Sequence, residues 1–116
     1  MSVRVTVGKG MSAEDNLALQ LKADGWMFTR QFYYAEPRRL RADFVVQANG
    51  DAVLVEIQGG IYSRQAHGSV TGVLADIDRL NTATIAGWRM LRFTPAQVDD
   101  GTAITLIEAA LKAGEV

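Results

Sequence analysis

The chain has 116 residues, 48% of them hydrophobic and 22% charged, which fits a single soluble domain with a modest core. It contains no cysteine, which excludes disulfides, thiolate metal sites and a cysteine nucleophile. Its formal net charge of -1 gives no bulk attraction to nucleic acid, and no apolar run approaches the ~20 residues that span a bilayer.

The opening residues, MSVRVTVGKGMS, lack the apolar core of a signal peptide, so a cytoplasmic location and no membrane partner are expected. Residues 1–11 alternate weakly at Val3, Val5 and Val7 and read either as an edge strand or as a loose arm. Ser12 then reads as a helix N-cap, with Glu14 and Asp15 in the first turn, where the helix dipole favours negative charge. Leu17, Leu19 and Leu21, with Ala13 and Ala18, supply an apolar face that ends near Asp24-Gly25. Residues Trp26 to Tyr34 are aromatic and strand-like, and Glu36-Pro37 breaks the run. A second strand is predicted from Arg41 to Gln47 and a third from Ala52 to Gln58. Asn49-Gly50 between them is a hairpin signal, because both positions tolerate positive φ. Gly59-Gly60 opens a polar loop, IYSRQAHGS.

A second helix is predicted from about Val70 to Ala86, with Val73, Leu74, Ile77, Leu80, Thr84 and Ile85 at helical spacing and Gly87 as its stop. Trp88 to Phe93 reads as a strand. A strand–helix–strand succession implies parallel pairing with a right-handed crossover. Pro95 starts a turn, and Thr102 to Ala113 reads as a final amphipathic helix. The expected fold is therefore α/β: one domain over residues 1–116, built on a mixed central sheet flanked by helices.

The chemistry concentrates in Arg38 to Gly60, RRLRADFVVQANGDAVLVEIQGG. Strand alternation puts Glu56, Gln58 and Leu54 on one face and Val53, Val55 and Ile57 on the other. A hairpin centred on Asn49-Gly50 sets Asp43 across from about Glu56. Two facing carboxylates repel unless something positive bridges them. A hard divalent cation answers that need, and so does pairing with Arg39 or Arg41. Five arginines (Arg30, Arg38, Arg39, Arg41 and Arg64) lie in or beside this stretch. Basic residues around an acidic centre suit phosphate binding, and they also suit solvated strand edges. His67, the single histidine, lies in the loop after the third strand with Tyr62 and Arg64; its ordinary pKa of ~6.5 suits proton transfer.

An acid on one strand, a short hairpin, then Glu-x-Gln on the next, preceded by a helix bearing a Glu, resembles the PD-(D/E)XK nuclease superfamily. Within that superfamily, GGIYSRQAHGSVTGVLADIDRLNTATIAGWRMLRFTPAQV is similar to small phage-encoded and very-short-patch-repair-like endonucleases, with their loop His, helix Asp and Asn, and GWRMLRF strand. The resemblance runs from Ser12 to Val98. It implies a restriction-endonuclease-like αβββαβ core, here with an extra C-terminal helix.

The same resemblance implies Mg²⁺ or Mn²⁺ as cofactor, DNA as partner, and a bacterial or phage-encoded protein of the host cytoplasm. Asp43 and Glu56 match its metal-binding acids, the Ile57 backbone carbonyl a further ligand, and Glu14 an acid that reaches the metal through water. For Glu14, a plain helix-dipole role is the alternative. Gln58 stands where the superfamily usually has Lys. It can neither carry a charge nor act as a base, but it can orient a water molecule. His67 is then the candidate base. Arg38, Arg39, Arg41 and Arg64 would hold phosphates, and Tyr62 would stack on sugar or base, a core aromatic at a strand end being the alternative. Asp76 and Asn81 match positions behind the site; Asp76 would orient Arg79 or His67, with a solvated helix face as the alternative. Because one site cuts one strand, a homodimer or a recognition partner protein is expected, although no apolar surface stripe marks an interface. Two other readings stay open: a nucleic-acid-binding module that kept the fold without catalysis, and a structural protein of a phage-like assembly.

Other constellations fail. Ser63 and His67 share a loop with no strand-to-helix nucleophile elbow, and Gly8-Lys9-Gly10 lacks the phosphate-loop spacing. One histidine and no cysteine cannot build the usual structural zinc sites.

Overall fold

The computed structural model describes residues 10–58 and 70–112. His67, Arg64 and Tyr62, together with the strand-or-arm reading of the first residues, lie outside the described residues. Ser12 caps the first helix, α1 (Ala13–Ala23), its hydroxyl accepting the backbone N–H of Asp15 at 3.0 Å. The buried face of α1 is Asn16, Leu17, Gln20 and Leu21, which recur at helical spacing. Leu19, expected on the apolar face, is exposed, because two residues from Leu17 is the opposite side of a helix.

Three strands follow in an antiparallel meander: β1 (Met27–Tyr33), β2 (Arg41–Ala48) and β3 (Asp51–Ile57). The β2–β3 turn has positive φ at both Asn49 (54°) and Gly50 (78°), the primed geometry that matches strand twist. A crossover helix, α2 (Val70–Ile85), leads to β4 (Met90–Phe93), which pairs parallel with β3. The sheet order is β1-β2-β3-β4. β4 is shorter than expected. Trp88 is held elsewhere, its indole N–H donating to the Tyr34 carbonyl at 3.1 Å and its ring edge-on to Phe32.

After β4 the expected turn at Pro95 is a short helix, α3 (Pro95–Asp99). Thr94 and Gln97 form a reciprocal capping box there, with Pro95 in the first turn, where its missing N–H costs nothing. The last helix, α4 (Thr102–Lys112), buries Ala103, Ile104, Ile107 and Leu111. With α1 it packs on the sheet face carrying Phe44, Val46, Val53 and Val55, and this is the main core. The order α, three strands, α, strand, α, α is thus α/β with a mixed four-stranded sheet flanked by helices and a C-terminal helix. No helix among the described residues is long and apolar enough to cross a membrane.

The other sheet face carries Val45 and Leu54, which form a smaller cluster with Ala42, Tyr34 and Ala83. Here α2 departs from its predicted orientation. Val73, Leu74, Ile77, Leu80 and Ile85, expected to face the core, are 41–87% exposed, and Ala83 is the one buried residue of the helix. The stripe turned toward the sheet is instead Asp76, Arg79, Thr82 and Ala83. Polar groups seat it. Arg38 binds Asp78 at 2.5 Å and Thr82 at 2.9 Å, the Tyr34 hydroxyl donates to the Arg79 carbonyl at 3.5 Å, and Arg79 reaches into the sheet. Contrary to the sequence reading, an apolar stripe is therefore exposed on the surface.

Candidate active site

Above the C-terminal end of β3 is a cleft of about 360 Å³, lined by Gln31, Arg39, Arg41, Asp43, Glu56, Ile57, Gln58, Asp76 and Arg79. The β2–β3 ladder builds its floor. Its paired residues, Phe44↔Val55 and Val45↔Leu54, set Asp43 opposite Glu56 when the register is continued by one step. Both carboxylates share the α2 side of the sheet with Val45 and Leu54. Asp43 accepts the backbone N–H of Ile57 at 2.8 Å, so the first acid is fixed by the strand that carries the second.

The two acids have different surroundings. Burial pushes the Asp43 carboxyl above the usual aspartate range, and the hydrogen bond from Ile57 opposes that shift. No guanidinium pairs with Asp43 among the described residues. Glu56 is 8% exposed and has two partners. Arg79 of α2 binds its Oε2, and Arg92 of β4 lies 3.3 Å from its Oε1. Arg92 stands beside Glu56 in the parallel ladder and also comes within 3.9 Å of Asp76. The sequence reading considered Arg39 and Arg41 as the cationic partners; the structure gives that position to Arg79 and Arg92.

Arg39 and Arg41 instead flank one ring. Their guanidinium carbons lie 5.2 and 5.7 Å from the Tyr33 centroid, and Arg39 also donates to the Tyr33 hydroxyl at 3.2 Å. Neither has a carboxylate partner among the described residues, so both present charge to the cleft. Arg38 does not join them. It is bound to Asp78, which it holds below the usual carboxylate range. Gln58 lines the cleft, and its backbone N–H extends the sheet by donating to the Phe93 carbonyl at 2.7 Å. Asp76 also lines it, whereas Asn81 lies on the exposed side of α2, away from the cleft lining.

Glu14 sits one residue removed from the cleft. It pairs with Arg30 at 2.7 Å and accepts from the Gln31 amide at 3.0 Å, and the Gln31 side chain lies close enough to Asp43 to favour its charged form. Gln31 was not singled out in the sequence. It lies in β1 with φ of 52°, between the paired residues Arg30↔Phe44 and Phe32↔Ala42. Positive φ is uncommon for a residue with a Cβ and marks a local conformational cost. Nothing in the residue type announces it. Arg79 entered the sequence reading only as a residue that Asp76 would orient, and Arg92 not at all, although Arg92 follows from the strand register once β4 is placed beside β3.

The donor set suits a hard cation. It comprises two carboxylates from adjacent strands, one of them half-buried with no ion pair among the described residues, beside the Gln58 amide and the Ile57 peptide. No group of three or more acidic or imidazole side chains comes together among the described residues. Mg²⁺ ordinarily takes one or two carboxylates and fills its shell with water and phosphate oxygens, so the pair is sufficient. No family model, curated protein or solved structure matches the chain.

Proposed function

We propose that the chain is a Mg²⁺- or Mn²⁺-dependent nuclease that hydrolyses DNA phosphodiester bonds. The observation that carries this reading is a single cleft with two unequal halves. Asp43 and Glu56 face each other on its floor, and the guanidiniums of Arg39 and Arg41, without a carboxylate partner among the described residues, stand on its wall. An acidic pair alone would repel DNA, and an arginine pair alone would bind phosphate without chemistry. Together they match a phosphodiester whose charge must be held while water attacks phosphorus.

Asp43 and Glu56 would hold the metal, with the Ile57 carbonyl as a further oxygen. When bound, such an ion withdraws charge from the phosphate and lowers the pKa of a water molecule. Arg39 and Arg41 would grip flanking phosphates, a contact that positions DNA without reading its sequence. The Gln58 amide would orient the attacking water through its carbonyl oxygen and N–H donors but cannot take its proton. His67 is the candidate acceptor by sequence. Glu14 acts at one remove, orienting Gln31 against Asp43. The test is cleavage of supercoiled and linear DNA with Mg²⁺ or Mn²⁺. Activity is expected in the native chain and is lost in Glu56→Ala; equal activity in that variant overturns the proposal.

A second reading, a binding module without catalysis, is favoured by one observation: Glu56 already has Arg79 and Arg92 as counter-ions. It predicts DNA binding with no stabilisation by divalent ions, which a thermal titration separates from the first reading.

A further inference from the structure

Glu56 is nearly buried, and both of its oxygens are engaged, so a divalent ion at either oxygen competes with a guanidinium for the carboxylate's charge. The two guanidiniums are not equivalent. Arg92 is tied to Glu56 by backbone register, strand against strand. Its Nε and Nη2 are buried with no hydrogen-bond partner among the described residues, so the charge of Glu56, with Asp76 farther off, is what compensates it. Removing Arg92 from the carboxylate would leave it with little else.

Arg79 has a second place to rest. It reaches down from α2 across the Tyr34 ring, 5.9 Å from the centroid, and the Nη2 that meets Glu56 also donates to the Arg41 carbonyl at 2.8 Å. If its bond to Glu56 is broken, the carbonyl and the aromatic face remain. It also borders the cleft beside Asp43 and Gln58, so a short movement turns it toward whatever enters. The helix that carries it is seated by other contacts, Arg38 to Asp78 and Thr82.

We propose that Arg79 is an exchangeable counter-ion: it neutralises Glu56 at Oε2 in the metal-free protein and yields that oxygen to a divalent cation. The proposal rests on the reading of Asp43 and Glu56 as a divalent-ion site. In this role Arg79 is a positioning residue. It keeps a nearly buried acid charged and in place before the ion arrives, and it sets the threshold concentration at which the ion enters. Competition of this kind is a coupling between two ligands of one carboxylate, and couplings of this sort typically amount to about 5–150-fold in affinity.

The experiment is calorimetric titration of Mn²⁺ into the full chain without nucleic acid, comparing the native protein with Arg79→Met, Arg79→Gln and Arg79→Lys. Methionine keeps the stem across Tyr34 and removes the charge. Glutamine serves the same purpose if the methionine variant does not fold. Both neutral variants are expected to bind Mn²⁺ on the order of tenfold more tightly than the native chain, with the lysine variant near it. Damage to the site would lower affinity, so an increase is a readout that a merely structural role does not produce. Unchanged or weaker binding in a folded neutral variant overturns the proposal. If Asp43→Asn still abolishes binding in that case, the metal-site reading survives alone; if no form of the chain binds Mn²⁺, both fall together.

Discussion

Replacing Glu56 by glutamine keeps its size and hydrogen-bonding capacity but removes the charge that two arginines share. The expected loss follows from their burial. Exposed ion pairs contribute about 0.2–1 kcal/mol, whereas breaking a buried pair costs about 3–5 kcal/mol. The Glu56 side chain is 10% exposed, and those of Arg79 and Arg92 are 24% and 21% exposed, which places the site between the two limits. We expect Glu56→Gln to lose about 2 kcal/mol in metal-free buffer, largely through Arg92, whose buried Nε and Nη2 have no other acceptor among the described residues. The assay is urea unfolding followed by far-UV circular dichroism. With a slope of about 2 kcal/mol/M, the midpoint should fall by roughly 1 M with the slope unchanged. A midpoint equal to or above that of the native chain would refute the reasoning, because it would mean that Arg79 and Arg92 do not depend on Glu56.

Asp43→Asn should move stability in the opposite direction, because no arginine forms an ion pair with Asp43 among the described residues and burial raises its pKa. A raised carboxyl pKa favours the folded state below the unfolded value of ~3.9, and that benefit is lost as pH rises through the folded value. The variant should therefore match the native chain in acid and exceed it at neutral pH, which chemical denaturation across pH will check. Substituting Arg39 and Arg41 together by alanine should reduce the salt dependence of duplex binding by about 1.8 log units per log unit of salt, measured by fluorescence anisotropy. Gln20→Ala should destabilise the fold by about 1–3 kcal/mol, because the buried Gln20 amide bonds both Asn16 and the Val98 carbonyl at 3.0 Å.

The hairpin was legible because its signals are local. Asn49-Gly50 specifies the turn, the turn specifies the register, and the register carries Asp43 to Glu56. Helix α2 was misread because periodicity reports that an apolar face exists, not where it points. Its attachment depends on Arg38, Tyr34 and Arg79, whose partners are distant in sequence. The same limit hid the counter-ions of Glu56. Arg92 is 36 positions from Glu56 and Arg79 is 23, and only the β3–β4 pairing and the crossover helix bring them together. Helix α3 is the exception: Thr94-Pro95 with Gln97 is a capping box legible in the sequence, and the proline drew the reading toward a turn instead.

Strand pairing puts Asp43 and Glu56 on one cleft floor, and the account holds that they share a cation there. A crystal of the chain soaked in Mn²⁺ tests this most directly, because anomalous scattering identifies the ion. The expected result is one ion contacting carboxylate oxygens of both Asp43 and Glu56, with water completing its shell and Mg²⁺ replacing it at ~2.0–2.1 Å. A soaked crystal with no ion between the two acids, and Glu56 still paired with Arg79 and Arg92, would contradict it.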